Sequence, residues 1–426
     1  MKCFLSNLIG IDHAISKTEH MDLMVSPFIG YIIRSVLTIN KEVERMLFMY
    51  GLTEDQKLIQ ETVREFARQE VQPIAAEIDE NHRFPAESIV RMADLGLMGL
   101  TIPEEYEGSG GDTVSYILAV EELARVSASH GGILSVHMSV GTQPILKFGT
   151  EEQKKKYLPD LASGRKIGAF AITEPAAGSD ASAQTTKAEL KGDSYILNGS
   201  KIFITNGGFA ETFIVLAVTD PSKGIKGLSA FIVEKTFPGF VVGQEENKMG
   251  MSGQSTTEII FNDCVVPAGN LLGKEGEGFK VAMGALDGGR ISIGAQALGL
   301  AQGAFDAAVT YAKDRVQFGK PIAANQGIQW MLADMALEIE AARLLVYNAA
   351  RLKDSGANYS KQSAMAKLYA AQVAVNVSRT ALQIHGGVGY TKEMAVERFY
   401  RDAKVTEIYE GTNEIQRTVI AKHILA

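Results

Sequence analysis

The spacing of apolar residues divides the chain into three stretches. From Thr53 onward Leu58, Ile59, Val63, Phe66 and Ala67 recur at steps of three and four, which sets them on one face of a helix. Thr53 with Gln56 three residues later predicts a capping box at its start. Further helices are expected over residues 86–97, from about Val114 through Ile117, Leu118 and Leu123, and over 133–148. The run from Pro103 to Gly111, rich in turn formers, reads as a loop. Near Gly168 the period shortens to that of strands, in segments 187–190, 195–197, 201–205, 213–218, 228–233, 240–245 and 258–266. Lys191-Gly192-Asp193 and Asn198-Gly199 separate the first three, the second being a strong two-residue hairpin signal. After Gly273 the helical period returns over 279–315, 326–354 and 360–384, with a fourth helical region over 393–416.

The expected fold class is therefore α+β. An N-terminal α-helical domain over 46–165 precedes a middle antiparallel β-barrel or sandwich domain over 166–273, and a C-terminal four-helix bundle occupies 274–426. Residues 1–45 read as a leader with balanced charge, lacking the acid-poor bias of a transit peptide. The apolar run from Met21 to Ile39 is broken by Pro27 and Arg34, so no membrane span is expected there.

Composition narrows the function. A chain of 426 residues, 46% hydrophobic and 22% charged, is ordinary for a globular protein with several cores. Its net charge of −8, without a sustained Lys/Arg cluster, argues against nucleic acid or an anionic membrane as partner and favours small molecules. Cys3 and Cys264 fit neither a disulfide framework nor a Cys-x-x-Cys site, which suits a reducing, cytoplasm-like compartment. His82, His130, His137 and His385 show no metal-ligand spacing, and no metal is expected.

Five stretches carry candidate chemistry. In Ile408-Tyr409-Glu410-Gly411 a glycine interrupts a helical pattern straight after a carboxylate in partly apolar surroundings, which suits a base beside a close-lying ligand. A helix C-cap with a solvated glutamate gives the same pattern. Ala171-Ile172-Thr173-Glu174 through Asp180 is a small-residue loop whose N–H and hydroxyl groups could face a planar or phosphorylated ligand, or form a plain turn. Ile202-Phe203-Ile204-Thr205 could flank a ring or form a hairpin arm with a core Phe. Asp287-Gly288-Gly289-Arg290 places two glycines within a helix, at roughly 2 kcal/mol of propensity, for close packing or for a ligand anchored by Asp287 and Arg290. A glycine-rich turn, Gln383-Ile384-His385-Gly386-Gly387, follows a helix.

Together these motifs resemble the acyl-CoA dehydrogenase family, in its short-chain, butyryl-CoA-like branch, from about Gly51 to Leu425. The resemblance implies FAD held between the strand domain and the bundle. Phe170, Ala171, Ile172, Thr173 and Ser179, with Phe203, Ile204 and Thr205, would line the flavin ring, and many relatives carry Trp where this chain has Phe203. Arg315, Phe318, Gln326, Gln383, Gly386 and Gly387 would reach the FAD of a neighbouring subunit, and Thr412 and Glu414 that of their own, which implies a homotetramer, a dimer of dimers. Ser179, Asp287, Arg290 and Gly411 would contact the acyl-CoA thioester and CoA. Glu410 would take the α-proton while hydride leaves for flavin N5, electrons passing on to electron-transfer flavoprotein as in fatty-acid β-oxidation. One branch places its base where this chain has Gly289, which glycine cannot supply. A branched short-chain acyl-CoA dehydrogenase and a non-catalytic flavin-binding homologue are the alternatives. The compartment implied is the cytoplasm, or the mitochondrial matrix in a eukaryote.

Overall fold

The computed structural model describes residues 51–425, so the leader expected over 1–45 lies outside the described residues. The first helix, α1 (Glu54–Phe66), begins with the expected box: Gln56 N donates to Thr53 Oγ1 at 3.1 Å and Thr53 N to Gln56 Oε1 at 3.0 Å. It is followed by α2 (Ala75–Glu80), α3 (Ala86–Asp94), α4 (Thr113–Ala124), α5 (Ala128–Val136), α6 (Gln143–Phe148) and α7 (Glu151–Ala162). Helix α3 stops short of the expected residue 97 because Gly96 turns left-handed, with φ of 72°. The helix expected over 133–148 is three pieces: α5, a π-helical turn (His137–Thr142), and α6, which restarts around Pro144. Every residue of α4 and α5 is buried, so these two form the middle of the helical core rather than a half-wet face.

The middle sheet contains β1 (Gly168–Ala171), β2 (Lys187–Lys191), β3 (Ser194–Thr205), β4 (Thr212–Val218), β5 (Leu228–Glu234), β6 (Phe240–Glu245), β7 (Thr256–Pro267) and β8 (Leu271–Leu272). They lie in the order β6-β7-β3-β2-β4-β5-β8, with β1 joined to β4. Most pairs are antiparallel, but β1 and β2 each run parallel to β4, through Gly168↔Thr212 and Lys187↔Val218, so the sheet is mixed. Asn198-Gly199 does not turn the chain. The two strands expected on either side are one strand, β3, with a bulge against β7 between Leu197 and Gly199. Asn198 settles the bulge by bonding Asp263 twice, Nδ2 to Oδ1 at 3.0 Å and Asp263 N to its own Oδ1 at 2.9 Å. A second shift, between Lys201 and Ile204, brings Phe203 to φ of 58° and leaves it 58% exposed.

The C-terminal part consists of α8 (Gly278–Asp314), a short hairpin of β9 (Val316–Gln317) and β10 (Lys320–Pro321), α9 (Gln326–Asp354), α10 (Ser360–His385), α11 (Ala395–Val405) and α12 (Asn413–Leu425). The region expected as one helix over 393–416 is thus two, α11 and α12, and the break between them holds Glu410 and Gly411. Helix α8 packs on α10 and α9 and also on α4 and α5, along a face of buried alanines such as Ala297, Ala301, Ala304 and Ala308. An N-terminal helical part, a middle sheet and a C-terminal helix bundle make up the described fold. Among the described residues no helix is long and apolar enough to cross a membrane.

Candidate active site

The break after α11 folds into a turn of two left-handed residues, Glu410 at φ 52° and Gly411 at φ 92°. A β-carbon at position 411 would stand 2.7 Å from Gln416 Nε2, so the turn itself demands glycine there, with no ligand needed to explain it. Three bonds from outside the turn hold it. Gln416 Nε2 donates to the carbonyls of Glu410 at 3.2 Å and Gly411 at 2.8 Å, and Lys367 Nζ donates to that of Gly411 at 2.8 Å. A non-glycine residue at positive φ costs on the order of 1–3 kcal/mol and persists only where the surroundings over-determine it.

This turn aims the Glu410 side chain at α8. Among the described residues both carboxylate oxygens are buried without a hydrogen-bond partner, an arrangement that costs free energy and points to a bound ligand or to a chemical role. The space they occupy exists because residue 289 is glycine: a β-carbon there would lie 2.0 Å from Glu410 Oε2. Burial pushes the Glu410 carboxyl up to about 7, against the pull of the Arg290 and Lys367 charges. Arg290, 5% exposed, is anchored through Nη1 to Asp287 Oδ1 at 2.5 Å, while its Nε is buried with no partner. Asp287 also accepts from Ser360 Oγ at 3.0 Å. Glu410, Gly411, Asp287 and Arg290 are therefore brought to one place from two distant stretches of chain.

The expected cofactor residues fall into three groups. Phe170 and Ala171 are buried in β1, Ile172 and Thr173 emerge from it half-buried, and Ile202 N donates to Thr173 O at 2.9 Å, tying this segment to the end of β3. There Phe203 is exposed, Ile204 buried and Thr205 half-buried, so an aromatic face and two threonines lie on adjoining segments open to a flat ligand. Ser179 is exposed on the loop beyond β1. Arg315, Phe318, Gln326, Gln383, Gly386 and Gly387 are all exposed, Phe318 at 97%, while Thr412 immediately precedes α12 and Glu414 lies in its first turn, beside the Glu410 turn.

Sequence reasoning missed the buried charges behind these groups. Lys201 and Glu174 are fully buried and paired at 2.7 Å; Lys201 Nζ also reaches Ile172 O at 3.3 Å and Gln184 Oε1. Glu174 accepts in addition from Thr185 N at 2.7 Å and Thr186 N at 3.0 Å. Burial works against its ionisation, but Lys201 and the two threonines outweigh this and hold the carboxyl near 2. Replacing Lys201 with Met should leave that charge buried and unbalanced, at about 3–5 kcal/mol of stability measured by denaturant unfolding. A cost below about 1 kcal/mol would show that the pair is not confined as described.

Models of the acyl-CoA dehydrogenase N-terminal, middle and C-terminal domains match residues 53–165, 169–264 and 276–425. The chain belongs to the acyl-CoA dehydrogenase family, and it is an oxidoreductase of that class. The short-chain specific acyl-CoA dehydrogenase of Clostridium acetobutylicum is 56% identical over 375 residues, covering 88% of this chain and 99% of that one. The structure of butyryl-CoA dehydrogenase from Megasphaera elsdenii superposes with a TM-score of 0.87 at 49% identity, over 88% of this chain and 100% of that one. A chain from the structure of the electron transferring flavoprotein of Acidaminococcus fermentans, described as a step towards a mechanism of flavin-based electron bifurcation, gives a TM-score of 0.88 at 55% identity, over 88% and 99%.

Proposed function

We propose that this protein is an FAD-dependent dehydrogenase that converts a short-chain acyl-CoA to its trans-2-enoyl-CoA, with Glu410 removing the α-proton. The observation that carries the reading is the Glu410 carboxylate itself: buried, without a hydrogen-bond partner, and balanced near neutrality by burial against two cations. Such a group is a poor structural anchor and a good proton acceptor, because a base works best when its pKa lies near the working pH. Its own backbone N–H has no acceptor among the described residues, which suits a donor reserved for the thioester oxygen as charge develops there. Arg290 and Asp287 anchor the substrate from α8, with Ser179 and Gly411 as further contacts.

The residues present fit FAD: Phe203 offers an exposed aromatic face with Thr173 and Thr205 on adjoining segments, and the Glu410 carboxylate is the orphaned polar group that a bound ligand would face. When bound, FAD supplies the acceptor for the β-hydride. Phe170, Ala171, Ile172, Ser179 and Ile204 would complete the ring's surroundings, and Thr412 and Glu414 would hold the same cofactor from α12. A homotetramer built from dimers accounts for the exposed Arg315, Phe318, Gln326, Gln383, Gly386 and Gly387 as contacts to a neighbour's cofactor. Trp330 and Leu337 on α9, 62% and 70% exposed, suit an interface between subunits as well. Electron-transfer flavoprotein is the proposed acceptor, supported by the likeness to the Acidaminococcus fermentans chain, and the compartment is cytoplasmic, or the matrix in a mitochondrial setting.

Anaerobic titration of the purified protein with C4, C6, C8 and branched acyl-CoAs tests the reading by the bleaching of the yellow flavin. Strongest bleaching is expected with the C4 thioester. No bleaching with any of them would overturn the proposal, and a preference for the branched thioesters would move it to the neighbouring branch.

A further inference from the structure

Lys367 lies on the buried face of α10 between Ala364 and Ala370, and none of its surface reaches solvent. A lysine so placed loses its hydration and normally recovers it through a carboxylate at contact. Lys367 does not. Its two acceptors among the described residues are neutral: Gly411 O at 2.8 Å, in the turn that presents Glu410, and Asn413 Oδ1 at 3.3 Å, at the start of α12 just beyond it. The other cation facing Glu410, Arg290, is already neutralised through its contact with Asp287. We propose that Lys367 is a positioning residue for the Glu410 base, holding the Glu410–Gly411 turn through the Gly411 carbonyl and supplying the uncommitted positive charge that keeps the buried carboxylate ionised and ready to accept a proton. This rests on Glu410 being the base.

The charges around the pair are consistent with this division. Glu410 faces Arg290 from α8 and Lys367 from α10, with the hydroxyls of Tyr116 on α4 and of its neighbour Tyr409. Lys367 in turn feels Glu410 most strongly, then Glu407 and, repulsively, Arg290, with Glu414 beyond. Burial brings the Lys367 ammonium down to about 8 despite that attraction, so the counter-charge is present through neutral pH and fades in alkali. Tyr409 does not compete for the carboxylate, because its hydroxyl donates to Gln296 Oε1 at 2.5 Å.

The test compares the parent holoenzyme with Lys367→Met and Lys367→Arg. Two quantities are followed against pH: the rate of flavin reduction by butyryl-CoA, and the infrared band of the protonated Glu410 carboxyl, identified by its loss in Glu410→Gln. The infrared reading does not depend on turnover. In Lys367→Met the carboxyl should titrate at least one pH unit higher, which at pH 7 lowers the ionised fraction and the rate of reduction about fivefold or more, with the rate largely restored in alkali. Lys367→Arg should titrate near the parent. A Met variant that is slower by the same factor at every pH, with its infrared titration unmoved, would reduce Lys367 to a packing role and overturn the proposal. If Lys367→Met fails to fold, Lys367→Gln, which also removes the charge, gives the same two readings. Flavin reduction persisting in Glu410→Gln would instead sink the base assignment, which separates that failure from this one.

Discussion

Glu410→Gln is expected to bind flavin and acyl-CoA as the parent does and to reduce the flavin about 10²- to 10⁴-fold more slowly, the range a positioned general base contributes. The amide keeps the shape that fits over Gly289 and removes only the site where the proton lands. In the parent, reduction should rise with pH as the carboxyl loses its proton near 7, and level off above. Stability follows the opposite sign. A carboxyl raised from 4.5 to about 7 favours its protonated form in the folded protein, so the folded state loses stability as pH rises from below 4.5 through 7. Glu410→Gln lifts that penalty and should be more stable than the parent above pH 8, on the order of 3 kcal/mol, with no difference near pH 4. Stopped-flow reduction and denaturant unfolding at both pH values check the pair of signs. A variant that is slower but no more stable in alkali would place the carboxylate in water rather than in the interior.

The chain's large divisions were legible because they rest on period. The capping box at Thr53, the long α8, α9 and α10 patterns and most strands lie where alternation or three-four spacing set them. The misplacements came where a side chain overrode a local signal. Asn198-Gly199 carries the composition of a hairpin turn, but Asn198 finds its partners across the sheet on Asp263 and the strand continues. Gly411 looked like a gap left for a ligand; its φ and the nearness of Gln416 are sufficient reason. Gly289 had two open readings from sequence, close packing or a ligand against the helix, and the structure shows close packing: the helix is thinned to admit the side chain of a residue more than a hundred positions later. Lys367 and Lys201 were passed over, although each interrupts an apolar face with a charge. That is the signal a sequence offers for a buried ion. Which partner it finds is decided by tertiary structure.

The second large effect is expected at Gly289. Alanine in the middle of α8 should favour the helix by about 1 kcal/mol on propensity alone. Its β-carbon, however, would fall 2.0 Å from Glu410 Oε2, well inside contact distance. The atom struck is the end of a side chain, so Glu410 can swing aside and spare the fold most of the cost of overpacking. The cost then falls on chemistry. A reacting group displaced by about 1 Å can forfeit on the order of 10²-fold in rate. Gly289→Ala should therefore keep its flavin, unfold within about 1 kcal/mol of the parent, and reduce flavin on the order of 100-fold more slowly with butyryl-CoA. In the Glu410→Gln background the same change should slow reduction little further, because the group it displaces has already lost its function; two residues acting through one contact are non-additive in this way. Equal losses in both backgrounds would mean that Gly289 serves the substrate or the cofactor directly. A parent-like rate in Gly289→Ala would mean that the carboxylate does not work from the position it occupies against α8.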